Sequence, residues 1–177
     1  MSEKVKKEIF EWIKVFALAI VFAFVITQFI KPTLVRGDSM YSTLEEGDYL
    51  IINRMSYKFG EPKRGDIIVF ESDLQQDDGT NKDLVKRVIG VSGDTIKIKD
   101  SKVYVNGEEL VEPYIHNEVT EGDIDTVVPE NSVFVLGDNR EISLDSRYEQ
   151  VGFINESDIL GKVFVRLYPF NKIGLLD

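Results

Sequence analysis

Ser39, in Arg36-Gly37-Asp38-Ser39-Met40, and Lys86, in Lys86-Arg87-Val88-Ile89-Gly90, are the residues of this chain best suited to covalent chemistry. A serine hydroxyl is a weak nucleophile until a neighbouring base takes its proton. The chain has no cysteine and one histidine, His116, so lysine is the best candidate left for that base. Lys86 lies in the apolar run Leu84-Val85-Lys86-Arg87-Val88-Ile89. Strand alternation puts Leu84, Lys86 and Val88 on one face and Val85, Arg87 and Ile89 on the other. If the first face is buried, desolvation lowers the lysine pKa and frees its lone pair near neutrality. If that face meets solvent, Lys86 is an ordinary surface lysine, and the alternation fits either arrangement. Gly37 permits backbone conformations closed to other residues, and Met40 is a flexible apolar neighbour of the serine. Taken alone, Ser39 reads as a turn or capping residue rather than a nucleophile.

A third patch, Gly137-Asp138-Asn139-Arg140-Glu141-Ile142-Ser143-Leu144-Asp145-Ser146-Arg147, follows an apolar run. Its hydroxyls and its Asp145/Arg147 pair suit either a polar loop or a support for a neighbouring lysine.

Elements of two kinds must position these residues. Residues 15–30 are uncharged and almost wholly apolar. With Trp12 and Ile13 the stretch reaches about 28 Å as a helix, close to the thickness of a bilayer core. Trp12 and Lys14 suit the lipid interface. The run ends in Thr27-Gln28-Phe29-Ile30-Lys31-Pro32, with bulky residues where a cleaved signal peptide carries small ones, so an uncleaved anchor is expected, ended by Pro32. From there the pattern changes to about seven short β-like runs, within 48–57, 66–70, 84–91, 95–99, 101–107, 132–136 and 162–168. Asp100-Ser101 marks a hairpin turn, and Asn155 or Ser157 caps a single helical turn. Residues 72–83 and 116–125 read as exposed polar connections. The fold class expected is therefore mainly β: one N-terminal transmembrane helix, then a compact antiparallel β-sheet or partial barrel. The divisions are a tail over 1–14, an anchor over 15–30 and a β domain over 33–177.

Composition narrows the function. The 177 residues carry 21 basic and 31 acidic side chains, a net charge of −10, which disfavours nucleic acid as a partner. Residues 1–14 hold four lysines against three glutamates, so the acidic excess lies wholly in the remainder. Lysines ahead of the anchor favour a cytoplasmic N-terminus and an extracytoplasmic body. His116 without a second histidine or any cysteine speaks against zinc, and it reads as a surface loop residue. No metal and no cofactor is expected.

In this order, the anchor, Gly37-Asp38-Ser39-Met40, Arg64-Gly65-Asp66-Ile67-Ile68-Val69-Phe70, Lys86-Arg87-Val88-Ile89-Gly90 and the Gly137–Arg147 block closely resemble the type I signal peptidases of bacteria, in their compact single-anchor form common in Gram-positive organisms. The resemblance implies a membrane-bound serine endopeptidase with a Ser/Lys dyad that removes signal peptides from exported preproteins, cutting after small residues. It implies Ser39 as nucleophile, Lys86 as general base, and Ser143 as a hydroxyl that hydrogen-bonds and orients the lysine amine. Asp145 and Arg147 correspond to a supporting ion pair, and Gly37 and Met40 to the substrate-facing surface. The partners implied are preprotein signal peptides, membrane lipid and a nearby export machinery.

Two departures stand out. Ser42 replaces a proline frequent after the nucleophile. Gly37 replaces a serine that helps some relatives bind the oxyanion, which leaves that task to backbone N–H groups such as that of Ser39. The interval from Asp94 to Gly137 is too short for the large second β-domain of longer relatives. Two alternatives remain from the residues alone: a catalytically silent anchored β domain that binds peptides or membrane partners, and a repressor-like autoprotease. The second lacks a DNA-binding domain in residues 1–38.

Overall fold

The computed structural model describes residues 3–76, 78–115 and 119–176, so His116 lies outside the described residues. The chain opens with helix α1 (Glu3–Phe29), whose residues are all unburied. At 27 residues it is about 40 Å long, long and apolar enough to cross a bilayer. It takes in most of residues 1–14 as well, where Lys6 pairs with Glu3 and Lys14 with Glu11 one turn apart. Its end differs from the expectation. The helix stops at Phe29, and Pro32 lies inside strand β1 (Ile30–Leu34), because that stretch pairs antiparallel with β2 (Tyr49–Asn53). A proline is tolerated there because β1 is an edge strand with a single partner.

The strands that follow are β3 (Ile67–Gln75), β4 (Asn81–Val91), β5 (Thr95–Lys99), β6 (Lys102–Val105), β7 (Glu108–Glu109), β8 (Ile124–Val127), β9 (Ser132–Leu136), β10 (Ile154–Asn155), β11 (Ile159–Tyr168) and β12 (Gly174–Leu175). All seven expected runs are strands. The 95–105 hairpin turns at Asp100 and Ser101, both at positive φ. Asn155 caps a short 3-10 turn, Glu156–Asp158, by accepting from the Ser157 N–H. Most of the connection expected over 72–83 is strand instead. Polar residues there alternate on the extended ends of β3 and β4, paired as far as Gln75 and Asn81.

Two antiparallel sheets result. The larger has the order β1-β2-β11-β3-β4-β9-β10, with β12 on β11. It curls without closing, and its inner face buries Met40, Leu44, Leu50, Ile52, Val69 and Val163 together. The smaller sheet, β7-β6-β5-β8, is drawn from the interval between Asp94 and Gly137. Ile96, Ile98 and Val105 pack it onto Ile89, Phe134 and Leu136 of the larger sheet. Gly90 permits that approach, since a Cβ there would lie 2.5 Å from Ile96 Cδ1.

Partner strands end unevenly around β4. Strand β3 covers one edge along residues 81–87, whereas β9 starts to pair only at Arg87. Among the described residues, the other edge of 81–86 therefore has no strand beside it. It faces β1 across a gap, which the Lys31–Asp83 ion pair spans at 2.9 Å.

Candidate active site

Ser39 and Lys86 come from opposite sides of this gap and meet at its end. Lys86 Nζ donates to Ser39 Oγ at 2.7 Å and to the Val85 carbonyl at 3.0 Å. The two faces of β4 are not buried and exposed alternatives here: Lys86, Arg87, Val88 and Ile89 are all buried. Lys86 keeps 2% of its surface, and burial pushes its ammonium down from 10.5 to about 8. Asp145 and Asp138 pull the pKa back up, while Lys82 adds to the fall. An amine with that pKa, at hydrogen-bond distance from a hydroxyl, can accept the hydroxyl proton when neutral.

The segment bearing Ser39 is held by its backbone. Val35 N–H donates to Asp48 O at 2.9 Å, and Leu44 N–H to Met40 O at 2.8 Å. Gly37 has φ +80 with open space where a Cβ would sit, so it shapes the turn before Ser39 and lines the gap. Met40 lies elsewhere than on the substrate-facing surface that the resemblance implies. It is 1% exposed and packs in the core beneath the gap, because the turn after Ser39 aims it inward as an anchor.

Residues 137–147 form the third side. Asn139 N–H donates to Ser39 O at 3.1 Å. A Cβ on Gly137 would lie 2.5 Å from Ser39 O and 2.1 Å from Ser143 Oγ, so glycine allows both to close in. Asp145 accepts from the Gly137 N–H at 3.0 Å and pairs with Arg147 at 2.8 Å. Arg147 in turn donates to the carbonyls of Arg140 and Ser143, which staples the loop upon itself. Ser143 Oγ is buried and has no hydrogen-bond partner among the described residues. The bond to the lysine amine that the resemblance implies is not made in this arrangement, where the amine is turned to Ser39 and Val85 and the Ser143 hydroxyl lies against Gly137.

Further residues complete the frame. Arg87, next to the lysine, makes a bidentate pair with Asp138, at 2.9 and 2.7 Å, and both are buried. Asp138 also accepts from Thr43 Oγ1 at 2.6 Å, four residues past Ser39. One carboxylate thus ties the lysine strand to the serine segment. The Tyr114 ring covers the Arg87 guanidinium at 3.9 Å, and Arg140 is paired with Glu112. A charged residue inside an apolar run was the visible signal for Arg87, but its partner lies 51 positions away, beyond any local pattern.

The gap widens into an open groove of about 580 Å³, bounded by residues 33–38 on one side, 82–86 on the other, and by Ile142 and Leu144. Among the described residues no cluster of three or more His, Cys, Asp or Glu could hold a metal ion.

Residues 9–168 match the family described as signal peptidase, peptidase S26. The chain is 39% identical to signal peptidase IB of Staphylococcus aureus strain COL, over 94% of this chain and 93% of that protein. It is 38% identical to signal peptidase I of Bacillus licheniformis, over 99% of this chain and 97% of the relative. Among solved structures, a signal peptidase I from Enterococcus faecalis V583 aligns with 34% identity and a TM-score of 0.48, covering 58% of this chain and 97% of its own.

Proposed function

The chain belongs to the signal peptidase family, peptidase S26, whose serine proteases remove signal peptides, and from that membership we propose that its reaction runs through Ser39 as nucleophile and Lys86 as general base. The observation that carries this reading is the 2.7 Å contact between the Ser39 hydroxyl and a buried amine whose pKa has fallen to about 8. Neutral Lys86 takes the Ser39 proton as Oγ attacks the scissile carbonyl. The resulting ammonium returns that proton to the leaving amine as the C–N bond breaks, which leaves an acyl group on Ser39. Water then attacks the ester, giving its proton to Lys86, and the ammonium passes that proton to Ser39 Oγ as the acyl C–O bond breaks, releasing the acid and free Ser39. The negative oxygen of each tetrahedral intermediate is met by backbone N–H groups at Ser39, since Gly37 offers no hydroxyl.

Substrate lies extended in the groove, where the bare edge of β4 at residues 82–86 offers backbone hydrogen bonds of the kind used when a peptide adds to a sheet. Val35, Ile142 and Leu144 line the groove that Ser39 also lines and offer apolar contact to the small side chains before the scissile bond. Helix α1 serves as the anchor, with the N-terminus cytoplasmic and the β body outside, where exported chains emerge from the export machinery. Membership of a peptidase family leaves the catalytically silent reading without support.

The test is cleavage of a preprotein by the purified full chain and by its Ser39→Ala and Lys86→Ala variants. Both variants are expected to lose turnover while keeping a wild-type circular dichroism spectrum. A folded variant that cleaves at the wild-type rate overturns the dyad.

A further inference from the structure

We propose that the turn over residues 54–60 is a second membrane contact, in which Phe59 enters the lipid interface and Arg54 and Lys58 bind anionic lipid headgroups. The proposal rests on the reading of α1 as a membrane anchor.

Position is the first observation. Arg54 N–H donates to the carbonyl of Phe29, the last residue of α1, at 2.9 Å. The turn therefore starts where the apolar helix ends, which for a membrane-spanning helix is the level of the headgroups. Phe59 is five residues further on, at most about 17 Å of extended chain and less in a folded turn.

Presentation is the second. Phe59 is 88% exposed, more than any other large apolar side chain described in the β body. Its turn is nonetheless firmly built. Met55 N–H donates to Asn53 Oδ1 at 2.9 Å, and Lys58 N–H to Met55 O at 3.1 Å. Tyr57 is tucked against the body, its hydroxyl donating to Asp66 at 2.8 Å. An aromatic ring displayed on a fixed turn loses little conformational entropy when it docks.

Charge is the third. Residues 54–63 carry Arg54, Lys58 and Lys63 against Glu61 alone, within a chain of net charge −10. Arg54 and Lys58 are exposed and form no ion pair with any described residue. Unpaired cations beside an exposed aromatic ring match an anionic bilayer surface, where each basic side chain adds attraction within a Debye length. An acidic protein partner would be drawn to the same cations, but it would have to share the exit of α1 with lipid. With α1 as one fixed point and this turn as another, the β body cannot swing freely, and the groove keeps a set height above the bilayer.

The absence of cysteine allows single-site spin labels without background. The full chain is reconstituted in phosphatidylcholine vesicles with and without phosphatidylglycerol, carrying Ile20→Cys, Phe59→Cys or Val111→Cys. Label exposure to dissolved oxygen and to a water-soluble nickel chelate is then measured. Position 20 reports the anchor, and Val111, 84% exposed beyond β7, reports water. With phosphatidylglycerol present, position 59 is expected to be several-fold less accessible to the chelate than position 111. Arg54→Glu with Lys58→Glu should abolish that protection, whereas Arg54→Lys keeps it. Unchanged cleavage of a short peptide in detergent shows that the charge-reversed chain is folded. If position 59 is as open to the chelate as position 111 while position 20 is lipid-shielded, the second contact is wrong and the anchor stands. If position 20 itself is open to the chelate, the anchor reading fails first. Protection at 59 that ignores both phosphatidylglycerol and charge reversal overturns the assignment to anionic headgroups.

Discussion

At Lys86 the removal of water works against stability and for chemistry at once. Its amine loses protons at about 8 in the folded chain, against 10.5 when solvated. Below about pH 8 both folded and unfolded chains carry the ammonium, and the folded one bears the whole cost of burying it. Between about 8 and 10.5 only the unfolded chain is protonated, so this cost fades as pH rises. The difference is on the order of 3 kcal/mol. Lys86→Met should therefore be inactive yet more stable than the parent in neutral urea titrations, with the gain shrinking toward pH 10.5. Equal midpoints at pH 7 would show that the amine is not buried at a cost. In the parent chain, kcat/KM should rise about tenfold per pH unit and level off near 8, as the free base appears.

On the level of elements, the Ser39 segment, β4 and the loop after β9 are tied by the Asn139 N–H bond to Ser39 O, by the pairing of β4 with β9, and by one shared carboxylate. Asp138 reaches all three, being part of the loop, paired to Arg87 of β4 and bonded to Thr43. Removing one partner of a buried ion pair leaves the other desolvated without compensation, which costs roughly 3 kcal/mol or more. Asp138→Ala should therefore lower stability by about that amount, whereas Thr43→Val, which removes the bond to Asp138 and a longer one from Arg87, should cost roughly 1.5–3 kcal/mol. Chemical denaturation checks both values, and a smaller loss for Asp138→Ala than for Thr43→Val would remove Asp138 from the centre of the frame. The Thr43→Val chain should also turn over more slowly, since Thr43 holds the segment that aims Ser39.

For the molecule as a whole, the α1 helix, the groove and the turn at residues 54–60 have meaning only relative to a bilayer. With lysines at the start of α1 and an acidic body after it, a membrane-impermeant maleimide added to intact protoplasts should label Val111→Cys and leave Lys4→Cys unlabelled until the cells are opened. The reverse pattern would invert the proposed orientation. The incomplete curl of the larger sheet also belongs to this scale. A closed barrel would have paired β1 with the edge of β4 and left nowhere for a peptide.

Local patterns sufficed for the apolar part of α1, for the central strands by alternation, and for the hairpin at Asp100-Ser101. Short strands such as β7, β10 and β12 escaped because two residues carry no period to read. The polar ends of β3 and β4 escaped because alternation between solvent and a neighbouring strand leaves no apolar signature. Elimination pointed to a lysine as the base, since no cysteine and hardly any histidine competed, and the resemblance carried by the ordered motifs singled out Ser39 and Lys86. Tertiary structure alone decided that both faces of β4 are covered at Lys86, that Met40 belongs to the core, that Ser143 is turned toward Gly137, and that Asp138 joins Arg87 to Thr43. Each of these is set by groups tens of residues apart in the chain, and burial and pairing over that distance depend on how the sheet curls rather than on any neighbour in sequence.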